Sequence, residues 1–351
     1  MPDRVVANDD TIRLTMPTGA RVLVVGDIIL DSYVHGKVDR ISPESPVPIV
    51  EVTVEEHRLG GAANVAANIV SLGGVCDLIG VVGDDQAGTV LRGLLTDTGI
   101  ADSYLVTDTC RPTTQKTRVL SRNQQIVRID RETRTALGST AREATLARLA
   151  ERIPYADAVV IQDYDKGVLD PQIIAAARDL STRRGIAVVV DPKAENFWQY
   201  KGVTCVTPNV DEAAAAAGCR IGTLDDLRDT AGHLLRELEL DTVLITRGAE
   251  GLSLFEREGT SVRATHVPAV AREVYDVTGA GDTVVAAYTL GLAGGMSPRS
   301  AARCANYAGG IVVGKLGCVP VDRRHLLQVI ADRAAADAAD VVREDADLPL
   351  Q

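Results

Sequence analysis

Asp276-Val277-Thr278-Gly279-Ala280-Gly281-Asp282-Thr283-Val284-Val285-Ala286-Ala287 is the stretch that decides how this chain is read. Small residues at 279–281 form a tight turn in which bare backbone lets a ligand approach closely. The apolar run after Asp282 suits a buried helix. A helix start presents free N–H groups and a partial positive charge, so this turn is built to hold an anion such as a phosphate. A carboxylate at the same point would repel that anion. Asp282 therefore reads either as a helix-capping acid or as a base beside a phosphoryl-transfer site, taking a proton from an attacking hydroxyl.

The rest of the composition narrows the setting. The chain has 351 residues, 46% of them apolar, enough for one large α/β domain or two modest ones. There are 48 acids against 37 bases, a net charge of -11, which argues against a nucleic-acid or anionic-membrane surface. Aromatics are 3%, too few for a base-stacking platform. The six cysteines (Cys76, Cys110, Cys205, Cys219, Cys304, Cys318) show neither C-x-x-C nor metal-ligand spacing and are expected as reduced thiols. With no apolar run of membrane length and no leader pattern at the N-terminus, a soluble cytoplasmic protein is expected.

Along the chain, residues 1–18 are polar and unpatterned and residues 331–351 form an acidic, Ala-rich tail; both are expected to be flexible at their ends. A first buried strand at Arg21–Val25 ends in Gly26-Asp27, with Asp31 four residues on. Either acid could enter a cleft at the strand's carboxyl end, and both could equally be turn acids. Two β-rich segments, about 33–58 and 113–130, interrupt the α/β pattern and predict a small sheet acting as a lid. Between them, Gly60-Gly61 opens a small-residue helix in which Asn64 can offer a donor and an acceptor to sugar hydroxyls. From Val75 onward, strand runs ending in Gly83-Asp84, Gln162-Asp163-Tyr164, Asp191-Pro192-Lys193, Pro208-Asn209 and Arg247-Gly248 alternate with helical stretches. That order predicts a doubly wound, mostly parallel sheet with helices on both faces. Gly309–Leu316 imitates a phosphate-binding P-loop, but it follows a helical segment and has Leu316 where Ser or Thr is required.

The stretch at 276–287, together with Gly60-Gly61-x-x-Asn64 and Leu72-Gly73, resembles the two signatures of the ribokinase-like (PfkB) carbohydrate kinases. Asp191-Pro192-Lys193, Asn209-x-x-Glu212 and Thr246-Arg247-Gly248 fit as well, so the resemblance covers about residues 20–330. It implies a ribokinase-like domain over 19–330. Within the family, Ile41–Pro48, Arg118–Gln125 and Val313–Gly317 resemble the members that phosphorylate D-glycero-β-D-manno-heptose 7-phosphate on the way to ADP-heptose and lipopolysaccharide. Those members are often fused to an adenylyltransferase. No His-x-Gly-His motif occurs in this chain, and a stand-alone kinase is expected.

The resemblance implies that Asp282 is the base and that the amides of Gly279, Ala280 and Gly281 hold the charge that develops on the transferred phosphoryl group. It gives Asp31, Gly60, Gly61 and Asn64 to the sugar hydroxyls; Asp163 and Lys166, just past a strand end, are expected as further substrate contacts. Lys116, Arg118, Arg122 and Arg128 stand on the expected lid of an acidic protein, and at least two of them are expected to bind a phosphate already on the substrate. Lys193, Asn209, Glu212, Thr246, Arg247 and Gly248 are expected to line the ATP site, with Glu212 organising Mg2+. Asp276 and Thr278 match positions that hold a monovalent cation such as K+ in some members. A homodimer through the lid strands is expected. The alternatives are another sugar or sugar-phosphate kinase of this fold, or a sugar-binding regulator without activity.

Overall fold

The computed structural model describes residues 16–122, 124–270, 275–333 and 342–344. The expected flexible N-terminus and acidic tail therefore lie largely outside the described residues, as does Asn123 of the expected lid turn.

In chain order the first strands are β1 (Arg21–Gly26), β2 (Ile28–Ile41), β3 (Pro48–Gly61), β4 (Val75–Ile79), β5 (Val81–Val82), β6 (Val106–Thr107), β7 (Gln115–Ser121) and β8 (Gln124–Arg131). They continue as β9 (Ala158–Gln162), β10 (Ala187–Asp191), β11 (Cys205–Val206), β12 (Thr242–Thr246), β13 (Leu252–Glu258), β14 (Ser261–Val267) and β15 (Val342–Glu344). The helices are α1 (Ala62–Ser71), α2 (Gln86–Asp97), α3 (Ser139–Arg152), α4 (Pro171–Arg184), α5 (Val210–Ala217), α6 (Leu224–Glu237), α7 (Ala280–Ala293), α8 (Pro298–Val312) and α9 (Arg323–Arg333).

Among the described residues the main sheet has nine strands in the order β15-β14-β13-β12-β11-β10-β9-β1-β4. From β4 to β12 every pairing is parallel; β12 to β15 are antiparallel. The parallel strands are short apolar runs buried on both faces. Their period of two sends neighbouring residues to opposite cores. Val22, Val24, Val160 and Leu244 join the core under α1, α7 and α8. Leu23, Val25, Ile161 and Ile245 join the core under α4 and α6. No helix among the described residues is long and apolar enough to cross a membrane.

The structure differs from the sequence reading in three places. The hairpin β13–β14 carries no signal that the alternation pattern used, and it extends the parallel sheet with an antiparallel edge. The run from Val75 to Val82 is two strands broken at Gly80, because β5 leaves the main sheet to pair with β6. The smaller sheet is longer than expected: β2 begins at Ile28 and β3 runs to Gly61, and the four strands order as β3-β2-β7-β8. Asp31, Gly60 and Gly61 therefore sit on strands of the smaller sheet rather than in loops. The first half of the P-loop mimic, Gly309–Val312, lies in α8, where Gly309 lets the helix press on Val284; an added Cβ there would stand 2.9 Å from its Cγ2.

Candidate active site

The carboxyl ends of the parallel strands build the site, where an open α/β sheet collects ligands. Strand register puts Gly26, Gln162 and Asp191 side by side at that edge. Helix α7 enters behind them. Its N-cap is Gly279 at φ 79°, a left-handed conformation that favours glycine. The space is tight as well, since an added Cβ would lie 2.8 Å from Asn64 Nδ2. The Ala280 amide donates to the Val277 carbonyl at 3.2 Å, so of the three amides expected to meet a phosphate this one is spent inside the turn. Gly281 borders the open cleft.

Asp282 is buried in the first turn of α7. Asn64 Nδ2 donates to its Oδ2 at 2.7 Å. Tyr164 Oη and Gln162 Nε2 donate to Oδ1 at 2.8 and 3.1 Å. Burial pushes its pKa up to about 6, against the stabilising hydrogen bonds of Asn64 and Tyr164. Gln162 Nε2 also donates to Asp191 Oδ2 at 2.7 Å. Burial raises Asp191 to about 7; Lys193 opposes the shift, and Glu212 and Asp282 add to it.

Beside Asn64, Asp31 points from β2 into the site and pairs with Arg118 at 2.5 Å. Gly60 faces it without a side chain, because a Cβ there would stand 2.2 Å from Asp31 Oδ2. Gly61, at φ 56°, lets the chain pass the Asp27 carbonyl into α1. Cys318 Sγ lies 3.5 Å from Asp31 Oδ2.

On the other side of Asp282 a polar cleft is lined by Asp191, Lys193, Thr207, Asn209, Glu212 and Thr246. Asn209 and Glu212 form a reciprocal cap on α5, and Glu212 also pairs with Lys193. This cleft shares Asn209, Thr246, Gly281 and Val284 with a larger, mostly apolar one of about 660 Å³, lined further by Gly248, Leu252, Val270 and Asn306. That volume falls in the range of small-molecule sites.

Several expected contacts fall elsewhere. Asp163 is committed to its own loop, accepting from Tyr200 Oη at 2.5 Å, Asn196 Nδ2 at 3.1 Å and the Asp165 amide at 2.9 Å. Lys166 pairs with Glu132 at 2.9 Å. Arg247 turns to Glu250 at 3.0 Å, while its neighbours Thr246 and Gly248 line the cleft. Arg128 is half exposed and pairs with Asp130 at 2.9 Å. Arg122 sits exposed at the hairpin tip, at φ 56° and six residues from Lys116, roughly 20 Å at strand rise. Lys116 does face the site: its Nζ lies 5.4 Å from the Tyr164 ring centroid, and it makes no salt bridge among the described residues. Asp276 accepts from Thr278 N and Oγ1 and from the Gly317 amide, at 2.7 to 2.9 Å, which draws its pKa down against partial burial. Residues 20–323 match the family model for pfkB family carbohydrate kinases. The chain belongs to that family and is a sugar kinase. Among curated proteins it is 45% identical over 317 residues to the bifunctional protein HldE of Citrifermentans bemidjiense, covering 90% of this chain and 64% of the relative. To HldE of Geotalea uraniireducens it is 46% identical over 310 residues, covering 88% and 63%. The chain thus spans less than two thirds of the length of these relatives. Solved structures show the same fold. Arabidopsis thaliana ribokinase complexed with ribose and ATP superposes with a TM-score of 0.71 at 20% identity, covering 89% of this chain and 99% of that one. Escherichia coli phosphofructokinase-2 in complex with fructose-6-phosphate gives 0.72 at 21%, covering 90% and 99%.

Proposed function

We propose that this sugar kinase transfers the γ-phosphate of ATP to the anomeric 1-hydroxyl of D-glycero-β-D-manno-heptose 7-phosphate, giving the 1,7-bisphosphate used in ADP-heptose synthesis. The observation that carries the reaction type is Asp282: a buried carboxylate, raised to about 6, standing between the Asp31–Gly60–Asn64 pocket and the polar cleft. Such a group is ionised at neutral pH yet basic enough to take a hydroxyl proton. Asp31 and Asn64 hold the sugar, the apolar cleft takes the adenosine, and Lys193 with the Gly281 turn meets the phosphates. The HldE relatives support the heptose as substrate. So does Lys116, a half-buried cation beside the acceptor pocket that makes no salt bridge among the described residues, which is what a second phosphate on the substrate would use. Arg118 is the second such cation if the sugar draws Asp31 away from it.

Asp191 and Glu212 line one cleft, where Glu212 adds to the upward shift of Asp191, and a pair of carboxylates there suits Mg2+. When bound there, Mg2+ would neutralise charge on the ATP phosphates. Asp276 Oδ2 takes the Gly317 amide and keeps lone-pair capacity, so a monovalent cation at that loop is compatible with Asp276, while the Thr278 hydroxyl is turned toward Asp276. The exposed apolar side chains Val52, Val54, Val127 and Ile129 on the four-stranded sheet support a homodimer through it.

ADP release should be measured with heptose 7-phosphate, unphosphorylated heptose and fructose 6-phosphate. The reading expects the highest kcat/KM on heptose 7-phosphate by at least tenfold. A preference for fructose 6-phosphate would assign another sugar-phosphate kinase, and no ADP release with any sugar would favour a silent regulator.

A further inference from the structure

The three donors on Asp282 are distributed unevenly. Among the described residues, Oδ1 accepts from both Tyr164 and Gln162, whereas Oδ2 accepts from Asn64 alone. A carboxylate offers about two acceptor positions on each oxygen. The open position is on Oδ2.

We infer that Tyr164 is a positioning residue of this reaction: its hydroxyl occupies Oδ1 so that Oδ2 receives the acceptor proton, and its ring seats Lys116 and Lys193. The inference rests on the kinase reading with Asp282 as base. In the step itself, the acceptor O–H bond breaks and its proton passes to Oδ2. The acceptor oxygen bonds to the γ-phosphorus as the bond to the β–γ bridging oxygen breaks, and ADP leaves with that electron pair.

The geometry of Tyr164 fits this role on both ends. Its backbone amide donates to Asp27 Oδ2 at 2.8 Å, which pins the loop after β9. Burial and the nearby Asp282 and Asp191 hold its phenol well above the ordinary pKa, so it stays protonated and donates. Its ring centroid lies 5.4 Å from Lys116 Nζ and 5.6 Å from Lys193 Nζ, both within cation–π range. Lys116 comes from the four-stranded sheet on the sugar side. Lys193 comes from the end of β10 on the nucleotide side. One ring therefore ties the two substrate-binding halves to the base.

The charged and titratable groups that face Asp282 are Asp31 from β2, Tyr164 from the loop after β9, Asp191 and Lys193 from the end of β10, and Cys318 from the loop after α8. Among them Tyr164 stabilises the ionised form by donating to it. Removing that hydroxyl raises the pKa of Asp282.

The test compares Tyr164→Phe and Tyr164→Leu with the wild-type protein, using the pH dependence of kcat/KM and the KM of each substrate. Tyr164→Phe should move the acid limb up by about half to one pH unit and lower kcat about tenfold, with both KM values kept because the ring remains. Tyr164→Leu should show the same limb shift and also raise KM for ATP and for the sugar phosphate. An unchanged limb and kcat in Tyr164→Phe overturns the inference, as does equal KM behaviour of Phe and Leu. A wild-type protein that turns over no sugar overturns the kinase reading itself, and this inference with it. A wild-type protein that turns over beside an unaltered Tyr164→Phe removes only this inference.

Discussion

Asn64 and Asp282, 218 residues apart in sequence, share a buried hydrogen bond of 2.7 Å. It joins the helix opened by Gly60-Gly61 to the helix opened by Gly279, and places the Asn64 amide on the carboxylate that lines the polar cleft. A capping acid has no need of such a partner. Asp282→Asn keeps the shape and most of the hydrogen bonding but removes the base. It should cut kcat roughly 100- to 10,000-fold while calorimetry still detects ATP and sugar-phosphate binding. Turnover within a few-fold of wild type would contradict the assignment.

The pH profile should show the same group. Asp282 must be ionised to act, and its pKa is about 6. The expected kcat/KM is flat above neutrality and falls about tenfold per unit as pH drops below 6. Gln162 links Asp282 to Asp191, so the apparent value belongs to the pair. An acid limb near 4, where an unperturbed carboxylate titrates, would contradict the burial that raises Asp282.

Gly60 leaves room for Asp31. In Gly60→Ala the new methyl would stand 2.2 Å from Asp31 Oδ2, so the carboxylate must move and its pairing with Arg118 must change. The expected result is a sugar KM raised at least tenfold with the ATP KM near its original value. Equal effects on both substrates would mean that Asp31 is not on the sugar side.

Lys116 and Arg122 separate two ideas about the second phosphate. Lys116 faces the site and Arg122 stands at the hairpin tip. Losing a charge-assisted hydrogen bond costs about 1.5–3 kcal/mol, so Lys116→Ala should raise KM for the phosphorylated sugar about 10- to 100-fold and far less for the unphosphorylated one. Arg122→Ala should leave both unchanged. A large selective effect of Arg122→Ala would show that the hairpin tip reaches a substrate phosphate.

Stability should depend on pH in a defined direction. Burial raises Asp27 and Asp282 to about 6 and Asp191 to about 7. A carboxyl raised in the fold contributes stability below its unfolded pKa, near 3.8, and loses it as pH rises through the folded value. Without ligands, the melting temperature should therefore be higher at pH 5.5 than at pH 8, by about 2–5 °C. A higher melting temperature at pH 8 would show that these three groups do not dominate.

Much of this site is legible in the chain because its chemistry sits in local patterns. Small residues at 279–281 mark a turn, Gly60-Gly61 marks a close approach, and polar residues after apolar strand runs mark the carboxyl edge of a parallel sheet. What was not legible depends on tertiary geometry. Gln162 and Tyr164 reach Asp282 only because β9 lies in register with β10 beside α7. Asp163, between them in sequence, turns to Tyr200 in the loop after β9. The lid cations looked equivalent as a sequence cluster, yet strand length and pairing separate Lys116 from Arg122, and Asp130 occupies Arg128. The part of the larger cleft lined by Val270 and Asn306 comes from the segment after β14 and from α8, neither with a motif of its own.

The position of the new phosphate tests the central claim most directly. Heptose 7-phosphate and ATP should be incubated with the protein and the product examined by phosphorus and proton NMR. The account predicts a second phosphate coupled to the anomeric proton, with one ADP formed per bisphosphate. A phosphate on any other carbon, or ADP released with no bisphosphate formed, would contradict it.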